Sequence, residues 1–110
     1  MTRRILLILA LLLAPAAAIA ESLTGSYRAI GRYPDGTAYT GTVRIEDDGA
    51  SIRVMWAIGT QSYLGAGPRD GRVITVDWGD ATPIVYVVMD DGELHGTWAD
   101  GTAHEKLIPY

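Results

Sequence analysis

The sequence predicts an all-β protein in which eight antiparallel strands form an up-and-down meander that closes into a small barrel. Turn signals, mostly Asp-Gly, recur every 9 to 13 residues from Asp35 to Asp100. The segments between them carry Val, Ile, Thr, Tyr and Trp, which suit a pleated, half-buried surface. No window shows an apolar stripe at helical spacing. Seven turns therefore imply eight strands.

Residues 1–20 have the pattern of a secretory signal peptide. Two arginines precede the apolar run Ile5–Leu13, and small residues end at Ala20. The apolar stretch is about 16 residues long and falls short of the roughly 20 that a membrane-spanning helix needs. We expect cleavage, a single domain over residues 21–110, no membrane span after cleavage, and a location in the periplasm or outside the cell.

The charge balance excludes two classes of partner. Both signal-peptide arginines leave on cleavage, so seven basic residues face 13 acidic ones, a formal charge of −6. Such a chain has no electrostatic footprint for nucleic acid and no basic helix for anionic lipid. It also has no cysteine, so it cannot be a lipid-anchored lipoprotein or use disulfides, and its stability must come from packing and closure of the sheet.

The turn residues predict which strand residues face each other. In the first hairpin, Pro34 suits a type I turn and Gly36 suits the left-handed position of a three-residue loop. Each later break is read as a two-residue turn, with Asp-Gly as type I′ and Gly-Thr or Gly-Asp as type II′. The facing pairs predicted in chain order are Gly31 with Tyr39, Val43 with Val54, Trp56 with Tyr63, Gly67 with Ile74, Ile74 with Val85, Val87 with Gly96, and Leu94 with Leu107.

The predicted inner face is apolar in every strand and contains five glycines. Glycine weakens a strand, so five on one face indicate sharp curvature and room for large neighbours. Strands this curved can close into a barrel whose side chains nearly fill it. We expect a filled centre with at most a small cavity at one mouth, and a two-sheet sandwich is the alternative. The aromatic residues predicted to point inward are Tyr27, Tyr39, Trp56, Tyr63, Trp78 and Trp98.

The acidic stretch from Asp90 to Thr102 consists of two hairpin turns with a strand between them. It lacks the alternating carboxylates, glycine and distant glutamate of the common calcium loop. We predict no metal site and no cofactor, although weak calcium binding by the acidic turns stays open. His95 and His104 fall on the outer face, and no nucleophile or phosphate-loop motif is present. The chain is therefore predicted not to be an enzyme.

Glu105 is predicted to lie on the inner face, opposite Gly96, with Arg72 beside a turn as the other charged inner residue. An unpaired buried carboxylate is costly, so we expect Glu105 to accept hydrogen bonds from an inner tyrosine, with Tyr27 the nearest. Together with Trp98, these residues would form a small-ligand site at one mouth. A lone carboxylate is poor grounds for catalysis.

A second candidate site lies on the outer face of the predicted sheet. By the same alignment Ile84, Tyr86 and Val88 point outward beside Val73, with Met55 and Leu64 further round the barrel. Contiguous apolar surface of this kind tends to mark an interface. We expect either a protein partner or a homodimer contact at this patch, unless the N-terminal segment covers it.

Several motifs resemble those of a known family. They are D-G-x-x-Y-x-G at Asp35–Gly41, Y-x-G-x-G at Tyr63–Gly67 and D-G-x-L-x-G-x-W at Asp91–Trp98, followed by Glu105. Over Gly25–Pro109 the chain resembles small exported bacterial proteins described as fibronectin-binding. The resemblance implies export and adhesion to a host matrix protein. L-T-G-S-Y at residues 23–27 is more weakly similar to the first-strand Gly-x-Trp motif of lipocalin and avidin barrels.

The sequence thus favours an exported, non-enzymatic binding module for an extracellular matrix protein such as fibronectin, or another envelope protein. The alternatives are a small-ligand-binding barrel of lipocalin or avidin type and a structural envelope protein.

Overall fold

The protein is an eight-stranded antiparallel barrel in the computed structural model, which describes residues 21–110. Each strand pairs with its neighbours in sequence, and the first pairs with the last. The predicted fold class is confirmed, and the sandwich alternative is wrong. The predicted signal peptide lies outside the described residues. The strands are β1 (Gly25–Arg32), β2 (Ala38–Asp47), β3 (Ser51–Ile58), β4 (Gln61–Asp70), β5 (Val73–Val76), β6 (Ile84–Val88), β7 (Leu94–Trp98) and β8 (Ala103–Pro109).

Closure of the barrel pairs β1 with β8 over six positions, from Tyr27 opposite Pro109 to Arg32 opposite His104. Every strand within residues 21–110 therefore has a neighbour on each side, and this part of the chain has no edge strand of the kind that promotes association. Within residues 21–110 there is no helix with the length and apolar character needed to cross a membrane.

The core consists of alternate residues from seven of the eight strands, since the inward positions Gly65 and Gly67 of β4 have no side chain. Burying one such aliphatic side chain contributes about 1.5–3 kcal/mol, which is how a chain without cysteine holds its fold. Outward residues on the same strands are mostly polar. The Val, Ile and Leu side chains with at most 2% exposure are Val43, Ile45, Ile52, Val54, Ile74, Val76, Leu94 and Leu107.

Three of the seven predicted hairpin alignments are confirmed. They are the hairpins of β1 with β2, β3 with β4, and β7 with β8. In the first of these, Gly31 faces Tyr39 as the Pro34 turn requires.

Two hairpins are offset by two residues from the prediction. Val43 faces Trp56 rather than Val54, because the Asp48 carboxylate accepts the N–H groups of Ala50 and Ser51 at 3.1 and 2.8 Å and widens the loop. Between β4 and β5 the turn is centred one residue later, and Arg69 instead of Gly67 faces Ile74. A shift of two leaves each side chain on its predicted face.

Strand β6 is offset by one residue, which reverses its faces. Ile74 faces Tyr86 rather than Val85, and Gly96 also faces Tyr86 rather than Val87. Ile84 and Tyr86 are therefore buried, at 5% and 0% exposure. Their predicted outward orientation is wrong.

Val88 also packs against the core, so none of the three β6 residues of the predicted outer patch points outward. The cause is that neither connection of β6 is a two-residue turn. Residues 77–83 precede the strand, and there the Trp78 indole N–H donates to the Thr82 carbonyl at 3.2 Å. Residues 89–93 follow it, and there the Met89 N–H donates to the Glu93 carbonyl at 2.8 Å. The outward residues of β6 are Val85 and Val87.

The N-terminal segment, residues 21–24, closes one end of the barrel, called the base here. Leu23 is buried; its carbonyl accepts the Tyr27 hydroxyl at 2.6 Å and its N–H donates to Asp47 at 2.9 Å. Asp47 in turn pairs with Arg69 at 2.6 Å, and the two side chains are 2% and 8% exposed. Arg72, predicted to point inward, instead has an exposed side chain.

Candidate functional site

The other end of the barrel, called the mouth here, contains a small open cavity. The connections 33–37, 59–60, 77–83 and 99–102 border this end. The cavity has a volume of about 70 Å³ and reaches down to Glu105. Six of its nine lining residues are aromatic, so its walls are mainly ring surfaces. The lining residues are Tyr33, Tyr39, Trp56, Ile58, Tyr63, Trp78, Ile84, Trp98 and Glu105.

The rings at the mouth pack against one another around the rim. Trp78 meets Trp98 edge to face at 5.8 Å between ring centroids, and Tyr63 meets Trp78 in the same way at 6.1 Å. Tyr33 lies 4.7 Å from Tyr39 with a 40° tilt. Such edge-to-face and tilted pairs are favoured by the ring quadrupoles, so the walls hold one another in place.

Glu105 forms the floor of the cavity and is 4% exposed. Its Oε1 accepts the Tyr39 hydroxyl at 2.8 Å, and its Oε2 accepts the Trp56 indole N–H at 3.0 Å. The Tyr86 hydroxyl also donates to Oε2. Hydrogen bonds to an ionised acceptor are about twice as strong as neutral ones, and three of them offset the cost of burying a carboxylate.

Two glycines create the space for this arrangement. Gly31 and Gly96 flank Glu105 on the neighbouring strands, and Tyr39 and Tyr86 lie opposite those glycines one strand further out. A side chain at position 31 would overlap the Tyr39 ring, and one at position 96 would overlap the Tyr86 ring. Both rings therefore lie across a glycine and bring their hydroxyls to the same carboxylate.

The electrostatics keep both tyrosines as donors. Burial raises the pKa of Tyr39, and the charge of Glu105 and the hydrogen bond to it raise that pKa further. The same causes, in the same order, raise the pKa of Tyr86. Trp98 extends the network toward the surface, because its indole N–H donates to the Tyr39 hydroxyl at 3.1 Å.

The structure brings some of the predicted site residues together and separates others. Trp98, Ile84 and Glu105 line the cavity, and Tyr86 lies beneath it. Val88 lies toward the base. That an inner tyrosine donates to Glu105 is confirmed.

The choice of Tyr27 as that donor is wrong. Closure of the barrel places Tyr27 opposite Pro109 at the base, whereas Gly31 lies opposite Glu105. The Tyr27 hydroxyl donates instead to the Leu23 carbonyl. Tyr39, which faces Gly31, is the tyrosine within reach.

Sequence reasoning missed Tyr33 and Ile58 as cavity residues. A usable signal was present in both cases, because each continues the inward alternation of its strand, from Gly31 to Tyr33 and from Trp56 to Ile58. Both positions lie beside turns, where the turn signal hides the inward alternation of the strand.

No group of three or more possible metal ligands occurs among residues 21–110. The turns at Asp91 and Asp100 lie at opposite ends of β7 and do not converge. His95 lies on the outer face opposite Lys106, as predicted, with its Nε2 2.8 Å from Glu93.

Comparison of the chain with protein-family models, with curated proteins and with solved structures found no match. The resemblance to exported fibronectin-binding proteins therefore stays a prediction. What bears on function is the chemistry of the mouth.

Proposed function

We propose that this protein is an exported, non-enzymatic binding module that holds a small organic group in its aromatic mouth. The observation that carries the proposal is the open cavity whose walls are six aromatic rings and whose floor is Glu105. Binding sites for organic molecules are typically concave, mostly apolar and fitted with few polar groups. The mouth has this composition.

The mouth is a better candidate than the outer face. The outer patch depended on Ile84, Tyr86 and Val88, and these point into the barrel. Among the residues that remain outside, Val73 and Val87 face each other on neighbouring strands. The apolar residues beside them, Ile30 and Val85, share this outer surface with His95, Thr97 and Lys106. Apolar residues mixed with polar ones in this way are ordinary on a protein surface.

The size of the cavity limits what enters it. About 70 Å³ is well below the roughly 300–1,000 Å³ of a pocket that engulfs a drug-sized ligand. Only a head group enters, and the remainder of its carrier stays in front of the mouth. The carrier is either a free small molecule or a side chain of an extracellular protein, for which fibronectin is the partner that the resemblance implies.

The floor of the cavity supports binding rather than catalysis. Glu105 is the one carboxylate among the lining residues, and three hydrogen bonds hold it. General acid–base chemistry commonly requires a partner group poised to exchange a proton. The two tyrosines donate to Glu105 and have pKa values raised above the ordinary range, so neither supplies a base near neutral pH.

Intrinsic fluorescence tests the proposal, because all three tryptophans of the chain line the cavity. The purified protein would be titrated with a panel of cationic, neutral and anionic small molecules and with fibronectin. We expect saturable changes for at least one class, weakened by Tyr33→Ala but not by Ile30→Ala. Ile30 is a matched control, since it is similarly exposed but lies on the outer face. A panel without any saturable change would reject the proposal.

A further inference from the structure

Most of the hydrogen-bond donors around the cavity are already in use. The indole N–H groups of Trp56, Trp98 and Trp78 donate to Glu105, to Tyr39 and to the Thr82 carbonyl, respectively. The hydroxyls of Tyr39 and Tyr86 both donate to Glu105. A ligand that brings acceptors, such as a carboxylate or a phosphate, would meet few donors here beyond the rim hydroxyls of Tyr33 and Tyr63.

Acceptor capacity, by contrast, remains. An ionised carboxylate has about four acceptor positions, and three hydrogen bonds to Glu105 are formed within the barrel. Glu105 also lines the cavity, so this acceptor lies beside the ligand space. The ring faces around it carry partial negative charge.

Charge around the mouth has the same sign. The four connections at this end contain Asp35, Asp77, Asp80 and Asp100, and they contain no lysine, arginine or histidine. Arg32, at the end of β1, has an exposed side chain that donates to the Gly36 carbonyl. A cleft bordered by charges of one sign concentrates counter-ions and raises their rate of association.

We propose that the group held in the mouth is an organic cation, namely an alkylammonium, quaternary ammonium or guanidinium head group. This inference rests on the proposed function and names its ligand class. Aromatic walls recognise such cations through the ring quadrupole, and the Glu105 carboxylate supplies the opposite charge at the floor. The cavity volume of about 70 Å³ admits a head group of this kind without its carrier.

The test compares choline with 3,3-dimethylbutan-1-ol, a neutral molecule of nearly the same shape. Isothermal titration of the purified protein should give an affinity for choline at least about tenfold higher, since only choline gains the cation–π and ionic terms. A higher concentration of sodium chloride should lower the affinity for choline and leave the affinity for the alcohol unchanged.

Two variants test whether choline binds at the mouth. Tyr63→Leu removes a rim ring that takes no part in the hydrogen bonds to Glu105, so the variant should fold and bind choline several-fold more weakly. Leu64→Ala, at the next and outward-facing position, is the matched control and should bind as the parent does. Equal choline binding by both variants would overturn the inference.

The remaining outcomes separate this inference from the proposed function. Equal affinity for choline and the alcohol, or binding of neutral or anionic compounds alone, would overturn the cation and leave the binding module standing. Failure of every compound in the fluorescence panel would reject both. If choline competes with fibronectin, or with a short lysine-containing peptide, the cation that the mouth binds is a side chain of a protein. Choline binding without capture of either would identify a free cation.

Discussion

Tyr86 lies across Gly96, and a Cβ at position 96 would be 2.5 Å from the Cδ1 atom of the tyrosine ring. The two residues face each other on β6 and β7, and Gly96 also faces Glu105 on its other side. The glycine therefore lets the ring lie flat and deliver its hydroxyl to the carboxylate. The inward position of Gly96 and the burial of Glu105 are therefore linked through the Tyr86 ring.

Substitution of Gly96 tests this packing. We expect Gly96→Ala to lower the free energy of unfolding by about 1–3 kcal/mol, because a Cβ there would overlap the buried Tyr86 ring and crowd the Val85 carbonyl. Thr97→Ala, at the exposed neighbouring position, should change it by at most about 0.5 kcal/mol. Urea denaturation followed by circular dichroism measures both. Equal stability of the two variants would show that the ring does not depend on the glycine.

Glu105 should tolerate an amide better than a hydrocarbon. Glu105→Gln keeps an acceptor for the Tyr86 hydroxyl and should cost about 1–3 kcal/mol. Glu105→Leu leaves the buried Tyr86 hydroxyl without its acceptor, and the Trp56 N–H keeps only its 3.2 Å bond to that hydroxyl, so this variant should cost more. Glu105→Lys should prevent folding, because it buries a cation among donors. Urea midpoints rank the first two variants, and circular dichroism reports on the third. A stable lysine variant would contradict the position of this side chain.

Stability should fall in acid through Asp47. Burial opposes ionisation of this carboxyl, but hydrogen bonds from the Leu23 and Gly49 N–H groups and the Arg69 guanidinium outweigh it and lower its pKa. A lowered folded pKa contributes stability above the unfolded value of about 3.9, and that stability is lost as pH falls through the folded value.

Asp47→Asn should cost about 3 kcal/mol at pH 7 by leaving Arg69 without its buried partner, and the loss of stability below about pH 4 should become shallower. Glu46→Gln, at the adjacent exposed position, should cost at most about 1 kcal/mol. Urea midpoints measured from pH 7 to pH 2 make the comparison. An unchanged acid profile in Asp47→Asn would contradict the role of the pair.

Stability should also fall in alkali through the buried tyrosines. Burial raises the pKa values of Tyr27, Tyr39 and Tyr86 in the folded state. Their contribution is complete below the unfolded value of about 10 and is lost as pH rises toward the folded values. In an alkaline titration, the tyrosinate absorbance at 295 nm from these buried tyrosines should appear only when the circular dichroism signal of the folded protein is lost. Complete ionisation of all six tyrosines in a native spectrum would contradict this.

The sequence predicted the barrel because its turns and its alternation are both local signals. Each glycine at a turn predicts a hairpin, and each inward glycine predicts a curved strand. Three hairpin alignments were predicted correctly from the turns. Two of the four other alignments were wrong because a side chain holds the connection in a different shape. The Asp48 carboxylate holds a wider turn, and Trp78 folds the 77–83 connection back onto the mouth.

The candidate site was only partly predictable for the same reason. That Glu105 points inward followed from the turn at Asp100, but its partners depend on how β1 meets β8 and on the offset of β6. Barrel closure determines how β1 pairs with β8, and the lengths of the connections determine the offset of β6. Neither can be predicted from the alternation of polar and apolar residues within one strand. The choice of Tyr27 over Tyr39, and the outward placement of Tyr86, both failed at these two points.

A nuclear magnetic resonance titration tests the proposal that ligand binds at the mouth. Choline would be added to the isotope-labelled protein while backbone and indole N–H signals are followed. We predict shifts centred on Tyr63, Trp78 and Trp98, with the Trp56 indole signal responding through Glu105. Shifts centred instead on Val73 and Val87 of the outer face, or on Leu23 at the base, would contradict it.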